Sequence, residues 1–344
     1  MVKIGVVGGG SWGTALANHM ALKGLTVDLW VREEDVYRQI REKGINETFL
    51  PGIKLSNGIR PVRSFKEVSK EKDIVLIVVP SHFFRDILTK LSPFLSSSKP
   101  LVVGTKGIEN DTLMTMSQVV HSVLPEYGSG NFACLSGPSF AREVCQERPT
   151  AVTIASRNEA LAKDLQVLFS TDYFRVYTTR DVIGVELGGA LKNVIAIAAG
   201  VSDGLGFGSN TRAALITRGS AEMARLGVSL GADPVTFAGL AGIGDLILTC
   251  TGDLSRNRMV GLKIAEGVPV EKIISGMKMV AEGIKTSLSA HNLARKMGIE
   301  MPITTEVYKI IYQGKDPREA VKDVMTRKLK EEPENYHIER VKLS

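Results

Sequence analysis

Apolar positions fall into two regimes along the chain. In the first half, short runs that are apolar almost throughout lie at residues 3–8, 26–31, 73–79, 101–105, 132–136, 151–155 and 174–178. They alternate with longer stretches of helical spacing, such as 13–23, 83–95 and 159–169. Runs without a polar face are expected of strands covered on both sides, as in a parallel sheet. The alternation is that of a doubly wound α/β domain. From about Asp181 the strand pattern stops. Residues 182–200, 211–226, 256–266, 270–276, 285–296 and 304–312 follow with helical spacing, punctuated by glycine. Asp316-Pro317 opens a last helix toward Thr326, with proline in its first turn. The expected fold class is α/β, a doubly wound sheet domain followed by an all-α domain, with the boundary near residue 181. The closing KLKEEPENYHIERVKLS is charged and carries Pro333, so residues 331–344 read as a solvated tail.

Composition narrows this little. A chain of 344 residues with 44% hydrophobic and 23% charged positions has the material for about two ordinary domains. The first residues run straight into the first strand, leaving no room for a signal peptide. The run IVLIVV at 74–79 is far too short to cross a bilayer, so no integral membrane segment is expected and the location expected is cytoplasmic. A net charge of +6 favours anionic ligands mildly. No long Lys/Arg run accompanies it, and nucleic acid is not an expected partner. Cys134, Cys145 and Cys250 form no CxxC pair and read as reduced thiols without a catalytic task. The five histidines show no metal-ligand spacing, so no metal is expected.

The opening loop changes the picture. In GGGSWGTA, Gly8, Gly10 and Gly13 follow the first strand and open a helix, with a second strand at the right distance. Gly8 permits a tight turn, Gly10 lets backbone approach a pyrophosphate, and Gly13 lets the helix pack on the sheet. The helix N-terminus supplies N–H groups and partial positive charge for the phosphates. Residues 1–181 are therefore expected to form a Rossmann-like dinucleotide-binding domain, and residues 182–330 a helical substrate-binding domain. Counting about twenty residues from the glycines reaches Arg32, whereas Asp28 lies within the strand. Arginine there would pair with a ribose 2′-phosphate, so NADPH is expected to be accepted at least as well as NADH. The alternative is that Arg32 is a surface charge.

Four further stretches carry candidate chemistry. In VIGVELGGALKNVIAIAAGVS, from Val182 to Ser202, Glu186 and Lys192 are the only charged residues. A lysine in so apolar a helix is costly unless paired, made less basic, or able to reach water. Helical side chains lean over positions i−3 and i−4, here Gly189 and Gly188, which leaves room for a small ligand beneath the lysine. Lys192 is thus either a desolvated general acid/base or a snorkelling side chain above a Gly–Gly helix contact. Lys106, in LVVGTKGIE, sits just past a strand's carboxyl end, where open sheets bind ligands. A surface salt bridge would account for it equally well. In LSGPSFAREV, Gly137 and Ser139 are placed to donate to a ligand, and an ordinary strand–turn–helix would use the same residues. In GIGDLILTCTGDLSRNRMVG, Asp245 is an acid among apolar residues. Ser255 caps a helix whose Arg256, Asn257 and Arg258 make a candidate phosphate site, unless the run is simply a capped basic helix.

Taken in order, GGGSWGTA, VVPSH, GTKG, LSGPSFA, GVELGGALKNVIAIAAG, AGIGDLILTC, SRNR and VAEG resemble the bacterial-type NAD(P)-dependent glycerol-3-phosphate dehydrogenases up to about residue 330. The resemblance implies reversible hydride transfer between sn-glycerol 3-phosphate and dihydroxyacetone phosphate, with NADPH or NADH and no metal, supplying phospholipid synthesis. It implies Lys192 as the general acid/base, Lys106 assisting at the same oxygen, and Asp245, with Thr249, in the lysine's network. It places the substrate on Lys106, Gly137, Ser139, Lys192, Asp245, Ser255, Arg256 and Asn257. On the cofactor side fall the glycine loop, Ser11, Trp12, Arg32, Lys106, Ala141, Arg256, Val280 and Glu282, and the family usually forms homodimers. Two other readings stand beside it. One is a two-domain dehydrogenase of a hydroxy acid, indifferent to a substrate phosphate. The other is a dinucleotide-sensing protein without turnover.

Overall fold

The computed structural model describes residues 2–277, 279–329 and 331–332; beyond these two residues the tail expected over 331–344 lies outside the described residues. Among the described residues ten strands are present: β1 (Lys3–Val7), β2 (Thr26–Trp30), β3 (Ile45–Asn46), β4 (Leu50–Lys54), β5 (Ile59–Val62), β6 (Ile74–Ile77), β7 (Leu101–Val103), β8 (Phe132–Ser136), β9 (Thr150–Ala155) and β10 (Phe174–Thr179). Eight of them build one sheet in the order β10-β9-β8-β7-β6-β1-β2-β5. The chain winds outward from β1 to β2 and β5, then returns to β6 on the other side of β1. The switch point between β1 and β6 opens a crevice at the carboxyl ends of the strands.

Both faces of the sheet are covered. Ile4 and Val6 pack with Leu16 and Met20 on one side, while Val7 and Ile77 pack with Phe84 and Leu88 on the other. Two features depart from the expected sheet. First, β9 runs antiparallel to β8, and β10 is parallel to β9. The helix between β8 and β9, Ala141–Cys145, has five residues and rises roughly 7 Å. That cannot carry the chain back along a strand of about 17 Å, so β9 starts near where β8 ends. The eleven-residue helix Glu159–Phe169 is long enough to do so, and β10 follows β9 in parallel. Second, β5 and the β3–β4 pair were not expected. Pro61 lies inside β5, which a central strand would not tolerate, but β5 is an edge strand.

The helical half is organised around one helix, Val182–Gly204, started by Asp181, whose carboxylate accepts from Gly184 N at 2.9 Å. It is long and apolar enough to cross a membrane by composition, and longer than the run at 74–79, yet 89% of its most apolar window is buried inside the protein. The helices Gly208–Ser229, Asp245–Thr251, Arg256–Ala265 and Glu282–Met297 all pack on it. Its buried Glu186 accepts from Ser117 N and Oγ, both at 2.6 Å, and so ties the helical half to the sheet domain. Ser117 opens a helix absent from the sequence reading, Met116–Val123, although Thr115 and Gln118 form a capping box there.

Candidate active site

The glycine loop leaves β1 into the crevice. At Gly8 φ is +129°, and a Cβ there would come within 2.2 Å of the Val78 carbonyl oxygen; at Gly13 it would come within 2.0 Å of the Gly8 carbonyl oxygen. The helix Ser11–Leu22 is thereby pressed against the strand ends, as only glycine permits. A Cβ on Gly10, by contrast, would meet nothing within 4 Å. The first helical bond runs from Thr14 N to Gly10 O at 2.9 Å, no side chain caps the helix, and its first turn holds no acid. The N–H groups of Ser11, Trp12 and Gly13 therefore face open space, a cradle suited to a pyrophosphate. The buried Trp12 Nε1 also lacks a protein partner. These features fit a dinucleotide. Asn46, which the sequence reading missed, braces the loop from behind: its Nδ2 donates to Gly9 O and Thr14 Oγ1, both at 2.9 Å. A lone asparagine in an unrecognised strand gives no sequence signal for that task.

A cleft of about 520 Å³ runs from this loop to the central helix. At its inner end Lys192 Nζ donates to Asp245 Oδ1 at 2.5 Å and to Thr249 Oγ1 at 2.9 Å. Lys106 Nζ donates to the other carboxylate oxygen, Oδ2, at 2.6 Å and to Gly137 O at 3.2 Å. Two cations thus share one anion, and Asp245 is only 1% exposed. Burial pushes the Lys192 pKa down to about 8, against the pull of Asp245 and with the repulsion of Lys106 added. Burial alone would raise the Asp245 carboxyl, but the two ammonium groups outweigh it and hold it below the usual range. Lys192 and Lys106 both line the cleft; Asp245 and Gly137 stand behind its wall. The room expected beneath Lys192 is absent. A Cβ on Gly188 would meet the Ala241 carbonyl oxygen at 2.4 Å, and one on Gly189 would meet Ser136 Oγ at 2.7 Å and Lys106 Cγ at 3.4 Å. The glycine pair admits a neighbouring helix and the Lys106 stem, so the open volume lies beyond the ammonium tip.

The SRNR segment divides. Ser255 Oγ accepts from Arg258 N at 3.2 Å and caps the helix Arg256–Ala265. Arg256 lines the cleft and forms no ion pair among the described residues; burial lowers its pKa, opposed by Glu282. Asn257 is already engaged, donating to Asn193 Oδ1 at 2.8 Å and accepting from Gly283 N at 2.9 Å, which leaves one amide hydrogen for a ligand. Arg258 is turned away, its Nε on Asp203 at 2.9 Å. Ser139, Ala141, Val280 and Glu282 line the cleft as well. Glu282 accepts from Ser81 N at 3.2 Å and Ser81 Oγ at 2.6 Å, crossing from the helical half to the sheet domain. Burial raises its carboxyl above the usual range against those bonds. Beside it, Ser11 Oγ donates to Met279 Sδ at 3.3 Å. Arg32 lines the cleft near Phe83.

A doubly wound sheet with a glycine cradle at one end of a cleft, and a buried lysine of lowered basicity at the other, defines a nicotinamide-dependent dehydrogenase. The chain belongs to the NAD-dependent glycerol-3-phosphate dehydrogenase family: the family's N-terminal part matches residues 3–162 and its C-terminal part residues 181–322. It is 57% identical over 330 residues to glycerol-3-phosphate dehydrogenase (NAD(P)+) of Geobacter metallireducens, covering 96% of this chain and 98% of that one. The enzyme of the same name from Leptospira biflexa is 50% identical over 331 residues, covering 96% and 99%. The crystal structure of glycerol-3-phosphate dehydrogenase from Coxiella burnetii superimposes with a TM-score of 0.91 at 41% identity, covering 95% of this chain and 99% of that one.

Proposed function

We propose that the protein interconverts sn-glycerol 3-phosphate and dihydroxyacetone phosphate with a nicotinamide cofactor, supplying glycerol 3-phosphate for phospholipid synthesis. The observation that carries the chemistry is the Lys192–Asp245–Lys106 cluster, whose two lysines line the same cleft as the glycine cradle. When bound, the nicotinamide supplies or accepts the hydride at C2. Lys192 gives a proton to the C2 oxygen during reduction and takes it back during oxidation; a pKa of about 8 makes both forms accessible. Lys106 fixes the same oxygen and the substrate, and Asp245, with Thr249, sets the position and basicity of the two lysines. Ser139, Ser255, Arg256 and the free hydrogen of Asn257 bind the substrate and its phosphate, with Gly137 shaping the wall beside them. Gly8, Gly10, Ser11, Trp12 and Gly13 hold the pyrophosphate end of the cofactor, and Arg32, Ala141, Val280 and Glu282 line the rest of its path. The last strand ends at Thr179 and the central helix starts at Val182, which supports a division near residue 181; the further division expected near 330 falls at the edge of the described residues. The same reading makes the enzyme a cytoplasmic homodimer, and light scattering on the purified protein checks the second point.

The test is the loss of reduced-nicotinamide absorbance with dihydroxyacetone phosphate, alongside unphosphorylated dihydroxyacetone and a hydroxy acid in the reverse direction. Oxidation only with the phosphate ester supports the reading. Turnover of the hydroxy acid, or none at all, overturns it. Arg256→Ala is expected to raise KM for dihydroxyacetone phosphate roughly tenfold to a hundredfold, the loss of one or two hydrogen bonds to a charged group. An unchanged KM would put the phosphate elsewhere.

A further inference from the structure

Arg32 does not stand free at the cofactor end of the cleft. Strand β2 ends at Trp30, and Arg32 and Glu33 both line the cleft just beyond it. Arg32 Nε donates to Glu33 Oε1 at 3.0 Å, and Nη2 pairs with the same oxygen at 2.9 Å. The guanidinium carbon lies 4.9 Å from the centre of the Phe83 ring. The next acid, Glu34, is taken by Arg38 and Arg63, so it does not compete for Arg32. Glu33 precedes the helix Glu34–Arg38 without capping it through its side chain. Among the described residues its carboxylate has one partner, and that partner is the cation a ribose 2′-phosphate would need.

Two consequences follow from charge alone. A 2′-phosphate reaching Arg32 must either displace Glu33 or take the guanidinium's remaining N–H groups beside a carboxylate of its own sign. A free 2′-hydroxyl meets the opposite situation, because an acid just past the second strand of such a fold accepts its proton in a hydrogen bond. We propose that Glu33 sets the cofactor preference of this enzyme: it pairs with Arg32 and favours NADH, and a 2′-phosphate on NADPH meets its charge at the same place. The inference rests on the dehydrogenase reading above and sharpens its cofactor, against the expectation drawn from Arg32 alone.

The chain has two tryptophans, Trp12 and Trp30, and both line the cleft. Quenching of intrinsic fluorescence therefore reports cofactor binding without turnover. The full chain, Glu33→Gln, Arg32→Gln and the double variant are titrated with NADH and NADPH at one ionic strength. The unmodified protein is expected to bind NADH more tightly. Glu33→Gln is expected to shift the ratio of the two Kd values toward NADPH roughly tenfold, or about 1.4 kcal/mol. Arg32→Gln should weaken NADPH binding little while Glu33 is present and roughly tenfold once it is glutamine, the non-additivity expected of a contacting pair. If the protein binds both cofactors and Glu33→Gln leaves the ratio within roughly twofold, the inference fails and the dehydrogenase reading stands. If it binds neither, both fail.

Discussion

Lys192→Ala is expected to lower kcat by about 10²–10⁴-fold in both directions, the range for loss of a positioned general acid/base. On the proposed reading the lysine serves proton transfer rather than folding. Its removal leaves Asp245 paired with Lys106 at 2.6 Å, so no buried charge is stranded. The glycine cradle is built by Gly8, Gly13 and Asn46 with no help from the central helix, so fluorescence titration with NADH should give a Kd close to that of the unmodified enzyme. The pH dependence follows from a folded pKa of about 8. Oxidation of glycerol 3-phosphate needs the neutral amine, so its kcat should climb through that region and level off above it. Reduction needs the ammonium ion, so its kcat should hold below that region and fall above it. The variant should lose both limbs. Turnover near that of the unmodified protein, or profiles with the limbs unchanged, would remove Lys192 from the reaction.

How far this site could be read without coordinates differs residue by residue. The parallel core was legible because β6 and β7 are apolar throughout and β1 and β2 nearly so, with Lys3, Thr26 and Asp28 as exceptions, and such runs leave little choice of environment. The reversal at β9 was not, because it depends on the length of the helix Ala141–Cys145, and a five-residue helix has too few turns to show a period. Lys192 drew attention as a charge in an apolar helix, but the reason offered for the neighbouring glycines was wrong in its geometry. Spacing along one helix cannot show that Ala241 and the Lys106 stem fill the gap. The SRNR run showed three polar side chains of equal promise. Only tertiary contacts separate Arg256, which faces the cleft, from Arg258, which Asp203 claims, and Asn257, which bridges Asn193 and Gly283. Glu33 is the same lesson on a smaller scale. An Arg-Glu dipeptide carries no mark of whether the two side chains meet, and here their meeting bears on the choice of cofactor.

Asp245→Asn should cost the enzyme both stability and its proton balance. The carboxylate is 1% exposed and is the only ion-pair partner of Lys192 and Lys106 among the described residues. Removing one partner from a buried ion pair typically costs about 3–5 kcal/mol, since the remaining charge stays desolvated. Here two cations remain, although the amide oxygen of asparagine still accepts from one of them. At roughly 2–4 °C per kcal/mol, the midpoint of thermal unfolding should fall by about 6–20 °C. Lys192 would relieve the strain by losing a proton. Asp245 raises the Lys192 pKa, while burial and Lys106 lower it; without the aspartate the two lowering influences lose their main opponent. The falling limb of dihydroxyacetone phosphate reduction should therefore move to lower pH, leaving little reduction at neutrality, while oxidation should retain its neutral amine there. A merely structural role would lower both directions together and leave the limb where it was. Equal losses with an unshifted limb would sink Asp245 as the group that tunes Lys192, even if the variant melts early.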